Sequence, residues 1–225
     1  MRMKNKTASI AWKVVLLVAG AYGLLDGAGI LAGAYDANFP HMFTNVSNLF
    51  AWGYFLFATI WLVRNRDDDG ATTFAPVAKY TATISLLVTM LIAHFMLFDA
   101  MFKDGQLVWH LVALHYVVPL MTLFDWVLFD EKGKMPVWGP LAWMSLVTAY
   151  LVIVMVGAGP LGIFLGGGTT ADVSRYPYTF LDPGISGVGG VAAFCGAMLV
   201  AFIVLGYVLF GLDRLFAKLG ARERS

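Results

Sequence analysis

The chain has 225 residues, of which 60% are apolar and only 13% are charged, and its mean hydropathy is +0.76. These values lie far from those of a soluble globular domain and indicate an integral membrane protein. The formal net charge of +1, without any Lys/Arg tract, argues against a nucleic-acid partner. The single cysteine, Cys195, excludes an intrachain disulfide.

Six long apolar runs follow one another along the chain. Each has about the 20 residues that a helix needs to cross a hydrocarbon layer of ~30 Å. In chain order they are Ser9–Ala34, Pro40–Val63, Ala75–Met101, Leu107–Phe129, Trp138–Val156 and Ile185–Phe210. The sequence therefore predicts an all-α polytopic membrane protein, with a single domain over residues 1–225 that is a bundle of six transmembrane helices.

The Lys and Arg residues divide unequally between the two sides of this topology. Thirteen of the 15 fall near the two termini or near the second and fourth connections, and only Lys103 and Arg175 fall elsewhere. Connections rich in cations stay in the cytoplasm, so both termini are expected there, in a multi-pass protein of the cell (inner or plasma) membrane. Alternatively, the first run is a cleaved signal peptide and five spans remain, although this run is longer than a signal h-region.

Ionisable residues inside a bilayer are costly and mark candidate functional sites. Asp26, His94 and His115 each lie roughly eight residues, or about 12 Å, from the outer end of a run. One face of the second run adds three polar residues at i, i+3 and i+4, namely Thr44, Ser47 and Asn48. Within the inner half of the spans only Asp125 stands out. The pattern predicts a polar chamber that opens toward the outside.

A hydroxyl nucleophile needs a base within hydrogen-bonding reach and benefits from a partner that orients the base. Thr44 or Ser47, His115 and Asp26 could supply these three roles, although Thr44 lies about 6 Å shallower than His115 if its helix starts at Pro40. Structural roles stay open for the same residues, because Thr44 and Ser47 are also good helix caps and His94 could be a packing residue.

A proline follows His115 in the fourth run. Pro119 has no N–H for the carbonyl four residues before it, so the His115 carbonyl should be free and the helix should kink there.

The fifth connection, from Gly157 to Gly184, is long for a compact bundle, and such connections are usually functional or disordered. Its apolar and aromatic residues argue against disorder. We expect it to form a lid over the chamber, with a plain external loop as the alternative. The polar and aromatic candidates in this lid are Tyr176, Tyr178 and Asp182.

Three stretches carry a family resemblance: Phe43-Thr44-Asn45-Val46-Ser47-Asn48-Leu49, His115 through Phe129, and Tyr176-Pro177-Tyr178-Thr179-Phe180-Leu181-Asp182. In this order they resemble a bacterial group of six-span membrane proteins without an assigned activity. That group is distantly similar to the eukaryotic androgen-induced and androgen-dependent tissue-factor-pathway-inhibitor-regulating proteins, intramembrane threonine hydrolases that cleave fatty acid esters of hydroxy fatty acids.

The resemblance implies a catalytic Thr at Thr44 and a catalytic His at His115. The chain departs from the eukaryotic pattern at two positions, since His115 lies four rather than five residues before Pro119 and Asn48 replaces an acid. The implied function is a hydrolase or acyltransferase acting on a lipid-like ester, without a cofactor. Its expected partners are the bilayer and a lipid or lipid-like substrate, and a homo-oligomer stays open.

The sequence leaves four alternatives to this function. A small-molecule or ion transporter is disfavoured because the inner half of the spans lacks the polar residues that a continuous path would require. A haem protein could ligate iron through His94 and His115. A zinc site is conceivable but lacks a recognised ligand spacing, so no metal is predicted. The last alternative is a structural membrane protein.

Reporter fusions test the topology. Fusions at Gly70, Gly133 and after Ser225 should report the cytoplasm, and fusions near Asp36 and Gly167 should report the opposite side, because of the distribution of Lys and Arg. An external signal after Ser225 would contradict the six-span topology.

Overall fold

The computed structural model describes residues 3–70, 74–166 and 174–222, which are mostly helical. Six helices in this part of the chain are long and apolar enough to cross a membrane. They are α1 (Lys6–Gly27), α2 (Phe43–Arg64), α3 (Pro76–Met96), α4 (Trp109–Phe129), α5 (Gly139–Ala158) and α6 (Pro183–Arg222). The prediction of a mostly helical chain with six such helices is confirmed.

Short elements connect the helices. Single 3₁₀ turns span Phe39–His41, Phe98–Met101 and Thr179–Leu181, and two strands, β1 (Phe102–Lys103) and β2 (Gln106–Leu107), form an antiparallel hairpin. The residues between the strands, Asp104 and Gly105, both have positive φ, as a two-residue hairpin turn requires. The sequence analysis assigned Phe98–Met101 to the third helix, because hydropathy does not distinguish an apolar turn from a helix.

The first helix is shorter than its apolar run. It ends at Gly27 rather than Ala34, and Gly29 and Gly33 then adopt φ of +72° and +67° in a tight turn. Gly20, Gly23 and Gly27 lie within α1, whereas Gly29 and Gly33 lie beyond its end. A Cβ at Gly23 would lie 2.7 Å from the side chain of Leu114, so the absent side chain permits close packing of α1 on α4.

The two ends of the described chain lie at the same end of the bundle. The Met3 N–H donates to the Leu128 carbonyl at the end of α4 (2.8 Å), and the Gly133 N–H donates to Asp213 near the end of α6 (2.7 Å). We call this the terminal end and the other the opposite end. The starts of α2, α4 and α6 lie at the opposite end.

A buried ionic network ties three helices together in the terminal half of the bundle. Asp125 of α4 is fully buried and accepts from Lys13 of α1 at 2.7 Å and from Lys79 of α3 through its other oxygen. Lys13 also donates to Ser9 at 3.0 Å, and Lys79 lies 3.8 Å from Asp130. Both lysines are at most 5% exposed.

Aromatic rings surround the two ammonium groups. The Lys13 nitrogen lies 5.1 Å from the centre of the Phe129 ring, and the Lys79 nitrogen lies 4.4 Å from that of Phe55. Rings at this distance attract a cation through their quadrupole. The network therefore sits in an environment that excludes water, where paired charges attract strongly and an unpaired charge is costly.

This network corrects the sequence analysis, which placed only Asp125 within the inner half of the spans. Lys13 and Lys79 were counted as residues of the helix ends, but their long side chains reach inward to Asp125. The argument against a transporter that rested on a lack of polar residues in this half is therefore wrong.

Removing the central carboxylate tests the network. Asp125→Asn leaves Lys13 without its counter-ion and Lys79 with only the more distant Asp130, so it should destabilise the protein by about 3–5 kcal/mol. The measurement is the midpoint of thermal unfolding in detergent. The control, Asp26→Asn, removes a carboxylate that is one-third exposed and should shift the midpoint far less. An unchanged midpoint in Asp125→Asn would contradict a structural role for the network.

Candidate active site

The hydroxyl of Thr44 and the imidazole of His115 meet at the opposite end of the bundle. Thr44 is the second residue of α2, and its Oγ1 lies 3.1 Å from Nε2 of His115, which is 7% exposed. The difference in depth expected from the sequence disappears in the structure. The structure therefore brings together the two residues that the sequence analysis placed at the centre of the site.

The second ring nitrogen of His115 determines the direction of this bond. Nδ1 lies 2.8 Å from the carbonyl oxygen of Leu111, which can only accept a hydrogen bond. Nδ1 must therefore carry a proton, and in the neutral ring Nε2 is then the acceptor. The Thr44 hydroxyl donates to Nε2, which is the arrangement of a nucleophile and its general base.

A π-helical segment, Ala113–Val117, carries His115 within α4. At its end the Val118 N–H donates to the carbonyl of Ala113, five residues back. In this register Leu114 should pair with residue 119, but Pro119 has no N–H to donate. The sequence analysis expected a kink and a free carbonyl at His115. The structure has a π segment instead, and its Leu114 carbonyl bonds to another helix.

The amide of Asn48 joins α2 to α4 at this place. Its Nδ2 donates to the carbonyl of Leu114 (3.1 Å) and to the carbonyl of Thr44 (2.8 Å). Both partners are acceptors, which fixes the orientation of the amide, and Oδ1 has no hydrogen-bond partner among the described residues. Asn48 thus holds the backbone of Thr44 against the segment that carries His115.

Ser47 has a different environment from Thr44. Its hydroxyl lies 3.0 Å from the Thr44 carbonyl and 3.0 Å from the hydroxyl of Thr89 on α3, and it is fully buried. The sequence left open which of the two hydroxyls is the nucleophile. The contact with His115 favours Thr44, and Ser47 supports its backbone.

Thr44 lines a cavity of about 310 Å³ between α2, α3, α5, α6 and the chain before α6. This volume lies within the range of small-molecule sites. Aliphatic and aromatic side chains form most of the wall, among them Val88, Ile92, Leu151, Phe194, Met198 and Phe202. The few polar side chains in the wall include Thr44, Thr89, Tyr150 and Tyr178. An apolar ligand in this cavity would present its polar group to Thr44.

Residues 174–184, which we call the covering segment, pack over the cavity. Tyr178 accepts a hydrogen bond from the N–H of Phe43 (3.0 Å), and its ring stacks on Phe180 with centroids 5.0 Å apart. Both residues line the cavity, as the expected lid would require. The rest of the expected lid includes residues 167–173, which lie outside the described residues.

Two other candidates in this segment have structural roles. Asp182 precedes Pro183 at the start of α6, accepts from the Gly184 N–H at 2.7 Å and accepts from the Ser174 hydroxyl at 2.7 Å, so it caps the helix. Tyr176 is 8% exposed, and its backbone N–H donates to Ser174. Of the three, Tyr178 makes a side-chain hydrogen bond to the start of α2.

Asp26 and His94 do not join Thr44 and His115. Asp26 lies in the last turn of α1 because that helix ends early, and its Oδ2 lies 2.9 Å from Nδ1 of His110. His94 is exposed and lies 3.1 Å from the hydroxyl of Tyr116. The expected single chamber is therefore three separate pairs, and the group that orients His115 is the Leu111 carbonyl rather than Asp26.

The separation of the histidines bears on metal binding. Both nitrogens of His115 are hydrogen-bonded within the protein, and His94 lies in a different, exposed environment. Within residues 3–70, 74–166 and 174–222, no group of three His, Cys, Asp or Glu side chains could hold a metal ion.

Comparison of the chain with protein-family models, curated proteins and solved structures found no match.

Replacing Asn48 tests the connection between α2 and α4. Asn48→Ala leaves the Leu114 carbonyl without its donor and the Thr44 carbonyl with Ser47 as its remaining side-chain donor, and it should lower the free energy of unfolding by about 1–3 kcal/mol. The measurement is again thermal unfolding in detergent. Asn45→Ala is the matched control, because the Asn45 amide donates to one carbonyl, that of Phe39. Equal shifts in the two variants would contradict the bridging role.

Proposed function

We propose that the protein is an intramembrane hydrolase or acyltransferase that acts on a lipid-like ester, with Thr44 as nucleophile and His115 as general base. The observation that carries the proposal is the Thr44–His115 hydrogen bond at the wall of an apolar cavity. A threonine hydroxyl is a weak nucleophile unless a base removes its proton, and His115 is placed to do so.

The cavity supports an acyl chain as the bound group. Its wall is mostly aliphatic and aromatic, so an alkyl chain can pass from the apolar interior of a membrane into the cavity without exposing its CH₂ groups to water. The six apolar helices support a location within a membrane, where such substrates are dissolved. Fatty acid esters of hydroxy fatty acids, the substrates implied by the resemblance, have this chemistry.

The reaction follows from the positions of the two side chains. Oγ1 of Thr44 attacks the ester carbonyl as Nε2 of His115 takes the hydroxyl proton, which gives a tetrahedral oxyanion. Collapse of this intermediate breaks the bond to the alcohol oxygen, which receives the proton from His115 and leaves as an alcohol. An acyl group remains on Thr44.

A second acceptor completes the cycle. Water gives a proton to Nε2 of His115 and attacks the acyl carbon, and the resulting intermediate releases the carboxylic acid as His115 returns the proton to Oγ1 of Thr44. If an alcohol replaces water, the product is a new ester and the reaction is acyl transfer. Throughout, the Leu111 carbonyl holds the Nδ1 proton and keeps the ring in the required tautomer.

Hydrolysis of a long-chain fatty acid ester by the purified protein tests the proposal. His115→Ala should lower kcat by about 10²–10⁴-fold, the usual contribution of a general base. Thr44→Ala should lower it to a similar extent, and the double variant should be little worse because the two residues act as one unit. Thr44→Ser keeps the hydroxyl and should retain part of the rate.

Matched controls are available for both residues. His94→Ala removes an imidazole that bonds to Tyr116, and Thr59→Ala removes a hydroxyl that donates to the Phe55 carbonyl. Neither should change kcat by more than a small factor. A fluorescent alkyl fluorophosphonate should label Thr44 in the wild type and in both controls. A folded Thr44→Ala variant that hydrolyses the ester at the wild-type rate would show that Thr44 is not the nucleophile.

A further inference from the structure

The hydroxyl of Tyr178 lies beside the proposed nucleophile and has a defined hydrogen-bond donor. It accepts from the Phe43 N–H at 3.0 Å, and it also interacts with the Thr44 side chain and with the hydroxyl of Tyr150. Accepting from a main-chain N–H does not use the proton of the phenol, which Tyr178 can donate to a neighbouring hydroxyl oxygen at rest and to a substrate oxygen during the reaction. Tyr178 and Thr44 both line the cavity.

Tyr150 does not compete as a donor at this place. Its hydroxyl donates to the carbonyl of His41 at 2.8 Å, so its proton is already used. Burial raises the pKa of Tyr178, which lies in the covering segment between α5 and α6, so its phenol keeps its proton near neutral pH. Tyr178 is therefore a neutral hydrogen-bond donor next to the nucleophile.

The start of α2 adds to this environment. Phe43 and Thr44 are the first two residues of a 22-residue helix, and its N-cap residue, Met42, makes no side-chain capping bond. The N–H groups of the first turn have no partner within their own helix and carry a partial positive charge that stabilises a nearby anion. One of them, the N–H of Phe43, donates to the Tyr178 oxygen and polarises the phenol, which strengthens it as a donor.

We propose that the Tyr178 hydroxyl donates a hydrogen bond to the oxyanion that forms when Thr44 attacks the ester, so that Tyr178 is a catalytic residue of the same reaction. This inference rests on the proposed function. The proton stays on the phenol throughout, and only the hydrogen bond strengthens as charge develops on the carbonyl oxygen. A tyrosine hydroxyl is one of the side-chain donors that serve in oxyanion holes.

The test is Tyr178→Phe, which removes the hydroxyl and keeps the ring that stacks on Phe180. Loss of one oxyanion donor should lower kcat by about 10²–10³-fold, with KM changed by only a small factor. Tyr176→Phe is the matched control in the same segment, because Tyr176 is buried but does not line the cavity. It should leave kcat and KM near the wild-type values.

Inhibition by ketones distinguishes catalysis from packing. A long-chain trifluoromethyl ketone forms an oxyanionic adduct with a nucleophilic hydroxyl, so its affinity should fall in Tyr178→Phe by about as much as kcat does. The corresponding long-chain alcohol fills the cavity without forming an oxyanion, and its affinity should be unchanged. A structural role for Tyr178 would weaken both compounds alike and would overturn the inference.

A second variant covers the case in which Tyr178→Phe does not fold. Replacement of Tyr178 by 3-fluorotyrosine keeps the shape of the ring and makes the phenol more acidic. Its kcat should match or exceed that of the wild type near neutral pH and should fall at a lower alkaline pH, as the phenol ionises and ceases to donate. An alkaline limb identical to that of the wild type would contradict the donor role.

The outcome separates this inference from the proposed function. If the wild type neither hydrolyses the ester nor is labelled at Thr44 by the fluorophosphonate, the proposed function fails. If the wild type does both and Tyr178→Phe keeps the wild-type kcat, the Thr44–His115 mechanism stands and the role of Tyr178 is wrong.

Discussion

Pro119 removes one backbone N–H from the interior of an apolar helix, and the site is arranged around this constraint. A carbonyl without a partner in an apolar environment is costly, so another group must satisfy it. In the π-helical register the carbonyl without a main-chain donor is that of Leu114, and the Asn48 amide of α2 donates a hydrogen bond to it. Because the same amide holds the Thr44 carbonyl, the position of Thr44, the proposed nucleophile, depends on the helix that carries His115. π-Helical segments frequently occur at functional sites, and this one brings His115 to Thr44.

Packing is distributed unevenly around the site. Of the most apolar 18 residues of each helix, 67% are buried in α3 and only 11% in α6. The ionic network joins α1, α3 and α4 near the terminal end, whereas α6 contacts α3 through a bond from Tyr80 to the Gly206 carbonyl. The cavity lies between the firmly packed helices and α6. This arrangement places Thr44 and His115 beside a wall, α6, that is largely exposed, and the proposed entry of a long apolar substrate would need such a wall.

Parts of the fold and the site could be predicted from the sequence. Six apolar runs of sufficient length give six helices, and Thr44, His115 and Tyr178 lie in motifs that the sequence analysis singled out. The end of α1 could not be predicted from the sequence, because the apolar run continues through a turn made by Gly29 and Gly33. Because the predicted helix ended at Ala34 rather than Gly27, Asp26 was placed about two helical turns too far from the helix end, at the same apparent depth as His115.

Other features depend on side-chain reach and backbone register. Lys13 and Lys79 looked like residues of the helix ends because hydropathy is assigned to Cα positions, whereas a lysine nitrogen extends well beyond its own turn. The π segment has no separate sequence signal besides Pro119, and an α-helical reading assigned the free carbonyl to the wrong residue. Asn48 was recognised as a polar residue of the chamber, but its two partners are carbonyls that no side-chain pattern reveals.

A structure of the protein after reaction with a long-chain alkyl fluorophosphonate tests the central claim most directly. The account predicts a phosphorus atom bonded to Oγ1 of Thr44, with the alkyl chain in the cavity between α3, α5 and α6 and the phosphonyl oxygen facing Tyr178. Phosphorus on another residue, or an alkyl chain outside this cavity, would contradict it.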